Sequence, residues 1–134
     1  MKRRAYLQTL LAAGASITMG LPEMQGQGSG SPIVLYVDLS VDPAKEKLMV
    51  KNFHEIFKPA ATKHEGYIDV RITKIRQALM GTAPAGVNYR FELTYKSEEL
   101  RQKWVASAVH QKVWPTIENT LTTKNYSVLL CDSV

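Results

Sequence analysis

The stretch Val87–Leu121, VNYRFELTYKSEELRQKWVASAVHQKVWPTIENTL, decides the fold. Its first nine residues alternate. Val87, Tyr89, Phe91, Leu93 and Tyr95 fall on one face, and Asn88, Arg90, Glu92 and Thr94 on the other. This period of two predicts a half-buried strand. At Ser97 the period changes. Ser97 is placed to cap a helix, and Glu98 and Glu99 sit favourably at its positive end. One long amphipathic helix is expected over Ser97–Leu121, bent near Trp114-Pro115. At the helical turn, Leu100, Trp104, Ser107, His110, Trp114 and Ile117 lie within roughly 140° of one another. One ionisable, metal-capable imidazole is therefore expected inside an aromatic stripe.

Working upstream, Ile33–Leu39 is apolar on both faces and predicts a central strand. Asp42-Pro43 starts a helix, with Asp42 as its cap and Pro43 at the first helical position. Met49, Phe53, Ile56, Phe57 and Ala60 form the expected buried face, and Pro59 should loosen the last turn. Tyr67–Arg76 predicts a second strand with Ile68, Val70 and Ile72 on one face. The segment 77–86 is a loop with Gly81, Pro84 and Gly86. Downstream, Tyr126–Asp132 reads as the last strand. The order β-α-β-β-α-β is the α+β, ferredoxin-like arrangement: an antiparallel four-stranded sheet with two helices on one face. The other sheet face is left open, which predicts a homodimer formed through it, two sheets closing into a dimeric α/β barrel.

Residues 1–31 read as an export signal and flexible linker, and 32–134 as the single domain. Lys2, Arg3 and Arg4 precede a small, weakly apolar run from Ala5 to Leu21, followed by a Gly-rich polar segment. Arg3-Arg4-Ala5-Tyr6-Leu7-Gln8 is similar to a twin-arginine signal, with Lys2, Tyr6 and Gln8 departing from its usual pattern. A periplasmic or extracellular location is expected, with no stable membrane insertion once the signal is removed.

The 134 residues carry a formal charge of +5. Without Lys2, Arg3, Arg4 and Glu23, the 17 basic and 12 acidic residues become 14 and 11, a net +3. With no basic block, no nucleic-acid partner is expected. Cys131 is the single cysteine, so neither a disulfide framework nor a cysteine zinc site can form within one chain. Cys131 is expected to be a buried thiol. His54 and His64 sit beside charged neighbours and are expected to be exposed. No His/Asp/Glu set has metal-ligand spacing, and there is no P-loop, G-x-S-x-G or dinucleotide fingerprint. No metal and no cofactor are expected.

His110 is the candidate catalytic residue, since an imidazole titrating near neutrality suits proton transfer. Trp104, Trp114, Ser107, Tyr36, Asp38 and Arg90 are candidate substrate-binding residues: two aromatic walls and polar groups on helix and strands. For each there is a plainer reading, namely a core or interface histidine, core tryptophans, and an ion pair between neighbouring strands.

Residues 33–133 resemble the dimeric α/β-barrel superfamily, in particular its antibiotic-biosynthesis-monooxygenase-like group. The likeness rests on the element order, on Phe57-Lys58-Pro59-Ala60 leading to Glu65-Gly66-Tyr67-Ile68, and on Tyr89-Arg90-Phe91-Glu92 followed by W-x-x-S-x-x-H over Trp104–His110. The resemblance implies a pocket between sheet and helices, with the helix histidine of the group at His110. It implies binding of a small apolar or aromatic ligand and cofactor-independent oxygenation of an aromatic substrate. The superfamily also holds haem-degrading enzymes, which implies haem binding or processing as an alternative. That branch uses an Asn on the first strand, where this chain has Tyr36 and Asp38. A non-catalytic dimeric interaction protein is the third reading.

Overall fold

Four strands make one antiparallel sheet: β1 (Ile33–Leu39), β2 (Tyr67–Lys74), β3 (Tyr89–Tyr95) and β4 (Ser127–Asp132), in the order β2-β3-β1-β4. The computed structural model describes Ser31–Val134; the export reading of the leader falls outside the described residues. Two segmented helical arms pack on one sheet face. The first runs through a 3-10 turn (Pro43–Lys45), α1 (Glu46–Asn52), a π turn (Phe53–Phe57) and α2 (Lys58–Ala61). The second is α3 (Glu98–Ala106), α4 (Ala108–Val113) and α5 (Pro115–Glu118). This is the ferredoxin-like α+β fold expected from the element order.

The core lies between the sheet and the arms. Leu35, Val37, Phe91 and Leu93 are buried from the sheet, and Met49, Phe53, Phe57, Trp104 and Ile117 from the helices. Phe91 meets Phe53, Phe57 and Trp114 at centroid distances of 5.2, 5.7 and 5.7 Å. These edge-on aromatic contacts lock both arms to the central strands.

Local expectations hold at the caps. Asp42 accepts from Ala44 N–H at 2.9 Å, and Ser97 Oγ accepts from Leu100 N–H at 3.2 Å. They fail where the backbone changes period. The π turn carries an extra residue, so burial proceeds through Met49, Phe53, Phe57 and Ala61, while Ile56 is 40% exposed. A bulge at Ile68 shifts the β2 register between Tyr67 and Asp69, leaving Ile68 43% exposed. Asn88 leaves the strand. Its side chain accepts from Val41 N–H at 2.8 Å and donates to Val41 C=O at 2.9 Å, standing in for a strand neighbour.

The expected single helix of the second arm is broken twice. Pro115 has no N–H to give the preceding turn. Ser107 is extended (φ −71°, ψ 152°), closing α3 and capping α4 in one residue. Cys131 is half-buried rather than buried. The edge strand β4 exposes Val128, Leu129 and Leu130, each about half. Among the described residues, no helix is long and apolar enough to cross a membrane.

Candidate functional site

Between the β1–β4 side of the sheet and the second arm lies a cavity of about 340 Å³. Leu35, Val37 and Leu93 form its sheet wall, and Val128 comes from β4. Phe57 enters from the first arm; Arg101, Val105, His110, Trp114 and Glu118 enter from the second, with Tyr95 and Tyr126 completing the lining. Its size and mainly apolar, aromatic wall with a few polar groups are those of a small-molecule site.

His110 sits in an aromatic frame. Trp104 meets it edge-on at 5.2 Å, and Trp114 lies nearly parallel to it at 6.2 Å. Phe57 closes a third side at 6.4 Å. His110 Nδ1 is buried and has no hydrogen-bond partner among the described residues. Burial, and secondarily the positive form of nearby His64, hold the imidazole below its usual range. That favours the neutral imidazole, the form that can accept a proton.

Ser107 fixes this imidazole through the backbone. Its Oγ accepts from His110 N–H at 3.1 Å and donates to Trp104 C=O at 2.6 Å. The W-x-x-S-x-x-H spacing is thus a helix-capping spacing. Ser107 does not line the cavity, so its expected substrate contact is replaced by a cap that sets the entry of α4.

The other expected residues divide. Trp114 lines the cavity with His110. Trp104 is buried behind His110 and lines a second cavity of about 240 Å³ with Ala60, Lys63, His64 and Val109. Tyr36, Asp38 and Arg90 are not brought to His110. They alternate with the cavity-facing residues of β1 and β3 and so occupy the opposite sheet face. There Arg90 binds Asp38 through two bonds of 2.7 and 3.1 Å and lies 5.6 Å from the Tyr36 ring centroid. Arg71 pairs with Glu92 at 2.8 Å beside them.

His64 is half-buried rather than exposed. It stacks on Trp104 at 4.8 Å, and its Nδ1 accepts from Gly66 N–H at 3.1 Å. Burial lowers its proton affinity too. Sequence reading also missed Arg101, Glu118 and Tyr126. Glu118 stands one helical turn beyond Trp114, so its place on that face was readable. Tyr126 gave no such signal. Its hydroxyl accepts from Trp114 Nε1–H at 3.0 Å and donates to Glu118 at 2.7 Å. A larger, shallower groove of about 450 Å³ lies along α1 beside His54. Its Glu46 is already engaged by Tyr89 at 2.6 Å and Lys74 at 2.5 Å. Among the described residues no group of three or more metal-capable side chains converges.

Neither a protein-family model nor a curated protein matches the sequence. Solved structures do. Several are named "putative antibiotic biosynthesis monooxygenase". The one from Bordetella bronchiseptica has a TM-score of 0.62 and 13% identity, over 78% of this chain and 98% of that one. The one from Nitrosomonas europaea has a TM-score of 0.61 and 12% identity, over 81% and 95%. A dimeric ferredoxin-like protein of unknown function from Jannaschia sp. CCS1 has a TM-score of 0.59 and 14% identity, over 77% and 98%. At these identities the likeness is one of fold, and the fold this chain shares with them is the ferredoxin-like α+β sheet-and-helix unit.

Proposed function

We propose that this protein binds a flat, hydroxylated aromatic molecule in the cavity beside His110 and oxygenates it without a cofactor. The observation that carries the reading is a half-buried imidazole, its proton affinity lowered by burial, in the wall of a 340 Å³ aromatic cavity. The names of two structural neighbours point the same way. His110 removes the phenolic proton as general base. The electron-rich ring carbon of the phenolate then combines with dioxygen. One oxygen atom becomes the new carbonyl, the ring hydrogen and the phenolic proton leave with the other as water, and both reducing equivalents come from the substrate. For 1-naphthol plus dioxygen, the products are 1,4-naphthoquinone and water. Trp114 and Phe57 hold the ring.

The test is oxygen uptake with 1-naphthol under air, with quinone measured by absorbance. Replacing His110 by Ala is expected to lower the rate by about 10²-fold or more, the usual contribution of a general base. Equal rates in both proteins would end the enzymatic reading. Haem processing is not favoured, because Tyr36 and Asp38 stand on the opposite sheet face from His110.

The functional unit in this reading is a homodimer joined through the open sheet face. Leu129 lies on that face opposite Tyr36 and is half exposed, which supports an interface there. Light scattering that returns a monomer at micromolar concentration would refute it. We further propose export through the Arg3-Arg4 leader. A reporter fused to residues 1–31 should leave the cytoplasm, and Arg3→Lys with Arg4→Lys should retain it there.

A further inference from the structure

We infer that Glu118 is the specificity-determining residue of the cavity and selects ligands carrying a second hydrogen-bond donor, a hydroxyl or amino group on the ring. The inference rests on the aromatic-ligand reading above and names what that ligand must carry.

Three charged or ionisable groups besides tyrosines reach the cavity: Arg101, His110 and Glu118. Arg101 is already committed, its Nε and Nη2 donating to both oxygens of Glu98 at 2.6 and 2.7 Å. Glu118 is half committed. One oxygen, Oε2, accepts from the Tyr126 hydroxyl at 2.7 Å. The other, Oε1, has Lys124 Nζ at 4.0 Å, on a side chain that is 70% exposed, too far for a direct hydrogen bond. Glu118 thus lines a largely apolar cavity while its Oε1 has no direct hydrogen bond among the described residues. An ionised carboxylate takes only donors and repels anions.

Its orientation is held. The Tyr126 hydroxyl is fixed from both sides, accepting from Trp114 Nε1–H at 3.0 Å while donating to Glu118. Burial and the bond to Glu118 push the Tyr126 hydroxyl up to about 12, so it remains a donor at neutral pH. The same Trp114 lies nearly parallel to His110. Trp114 thus lies parallel to His110 and is joined to Glu118 through Tyr126, and all four line the one cavity.

The test uses the full chain and four probes: naphthalene, 1,5-dihydroxynaphthalene, 5-methoxy-1-naphthol and 1-naphthoate. Tryptophan fluorescence reports binding. The dihydroxy probe is expected to bind about tenfold tighter than its methyl ether, the worth of one charge-assisted hydrogen bond, and naphthoate more weakly than either. Glu118→Leu should erase the preference while leaving naphthalene affinity within about twofold. Glu118→Gln keeps the shape and should reduce the preference to about threefold. Tyr126→Phe frees Glu118 from the hydroxyl that holds it, and should weaken the preference less than Glu118→Leu does. An unchanged preference in Glu118→Leu or in Glu118→Gln overturns the assignment while the aromatic-ligand reading stands. Failure of every neutral probe to bind the wild type overturns both.

Discussion

Gly66→Ala tests the packing that brings His64 and Trp104 together behind His110. A Cβ at Gly66 would lie 2.5 Å from Leu100 Cβ, 3.3 Å from Leu100 Cδ1 and 3.4 Å from His64 Cε1. The first distance is about 0.9 Å short of the 3.4 Å at which ordinary contact begins. Leu100 Cβ is fixed to the backbone of α3, so no rotamer removes the clash; the start of β2 and α3 must separate. Overpacking of this kind costs about 1–3 kcal/mol. In a domain of this size each kcal/mol lowers Tm by about 4–8 °C. A fall of roughly 5–20 °C is therefore expected in thermal unfolding followed by circular dichroism. Glu65→Ala, a neighbouring exposed position, serves as control and should change Tm little. Tm unchanged by Gly66→Ala would refute the close approach of β2 and α3.

Acid should destabilise the protein through two histidines. Burial holds both His64 and His110 below the usual imidazole range, while the unfolded chain takes up protons there. Their contribution is therefore complete above about pH 6.5 and is lost as pH falls below it, and denaturant midpoints at about pH 7.5 and pH 5 will show the slope. His64→Gln with His110→Gln should flatten it. Asn88→Ala strands the N–H and C=O of Val41, which is 2% exposed, and should cost about 1–3 kcal/mol in urea unfolding, with Asn88→Asp recovering part. Ser107→Ala removes the α4 cap and should cost about 1 kcal/mol, recovered by Ser107→Thr.

The fold was legible because each element announces its period. The alternation of Val87–Tyr95 and the capped starts at Asp42 and Ser97 led directly to the observed order. What could not be read was any departure from ideal period. The π turn at Phe53–Phe57 and the bulge at Ile68 move side chains by one position without a compositional mark. Ser107 shows the same limit from the other side. The spacing was visible, but a serine three residues before a histidine reads equally as a polar site group or a cap. Only its extended backbone separates the two. The cavity lining was legible on the helix and not across the sheet. His110 and Trp114 share the cavity, as helical spacing implied. Tyr36, Asp38 and Arg90 failed to join them because strand alternation, read correctly, puts them on the other face. Tyr126 reached the site through a tertiary hydrogen bond that no local pattern encodes.

In the proposed reading the aromatic cavity beside His110 is the ligand site. The three histidines report on three different places: His54 on the α1 groove, His64 on the smaller cavity behind Trp104, and His110 on the site itself. Nitrogen-edited imidazole NMR of the full chain, titrated with 1-naphthol, separates them in one experiment. Saturable shifts of the His110 ring nitrogens, with His54 unmoved, are the expected result. Shifts confined to His54 or His64, or no shift of His110 at millimolar 1-naphthol, would contradict it.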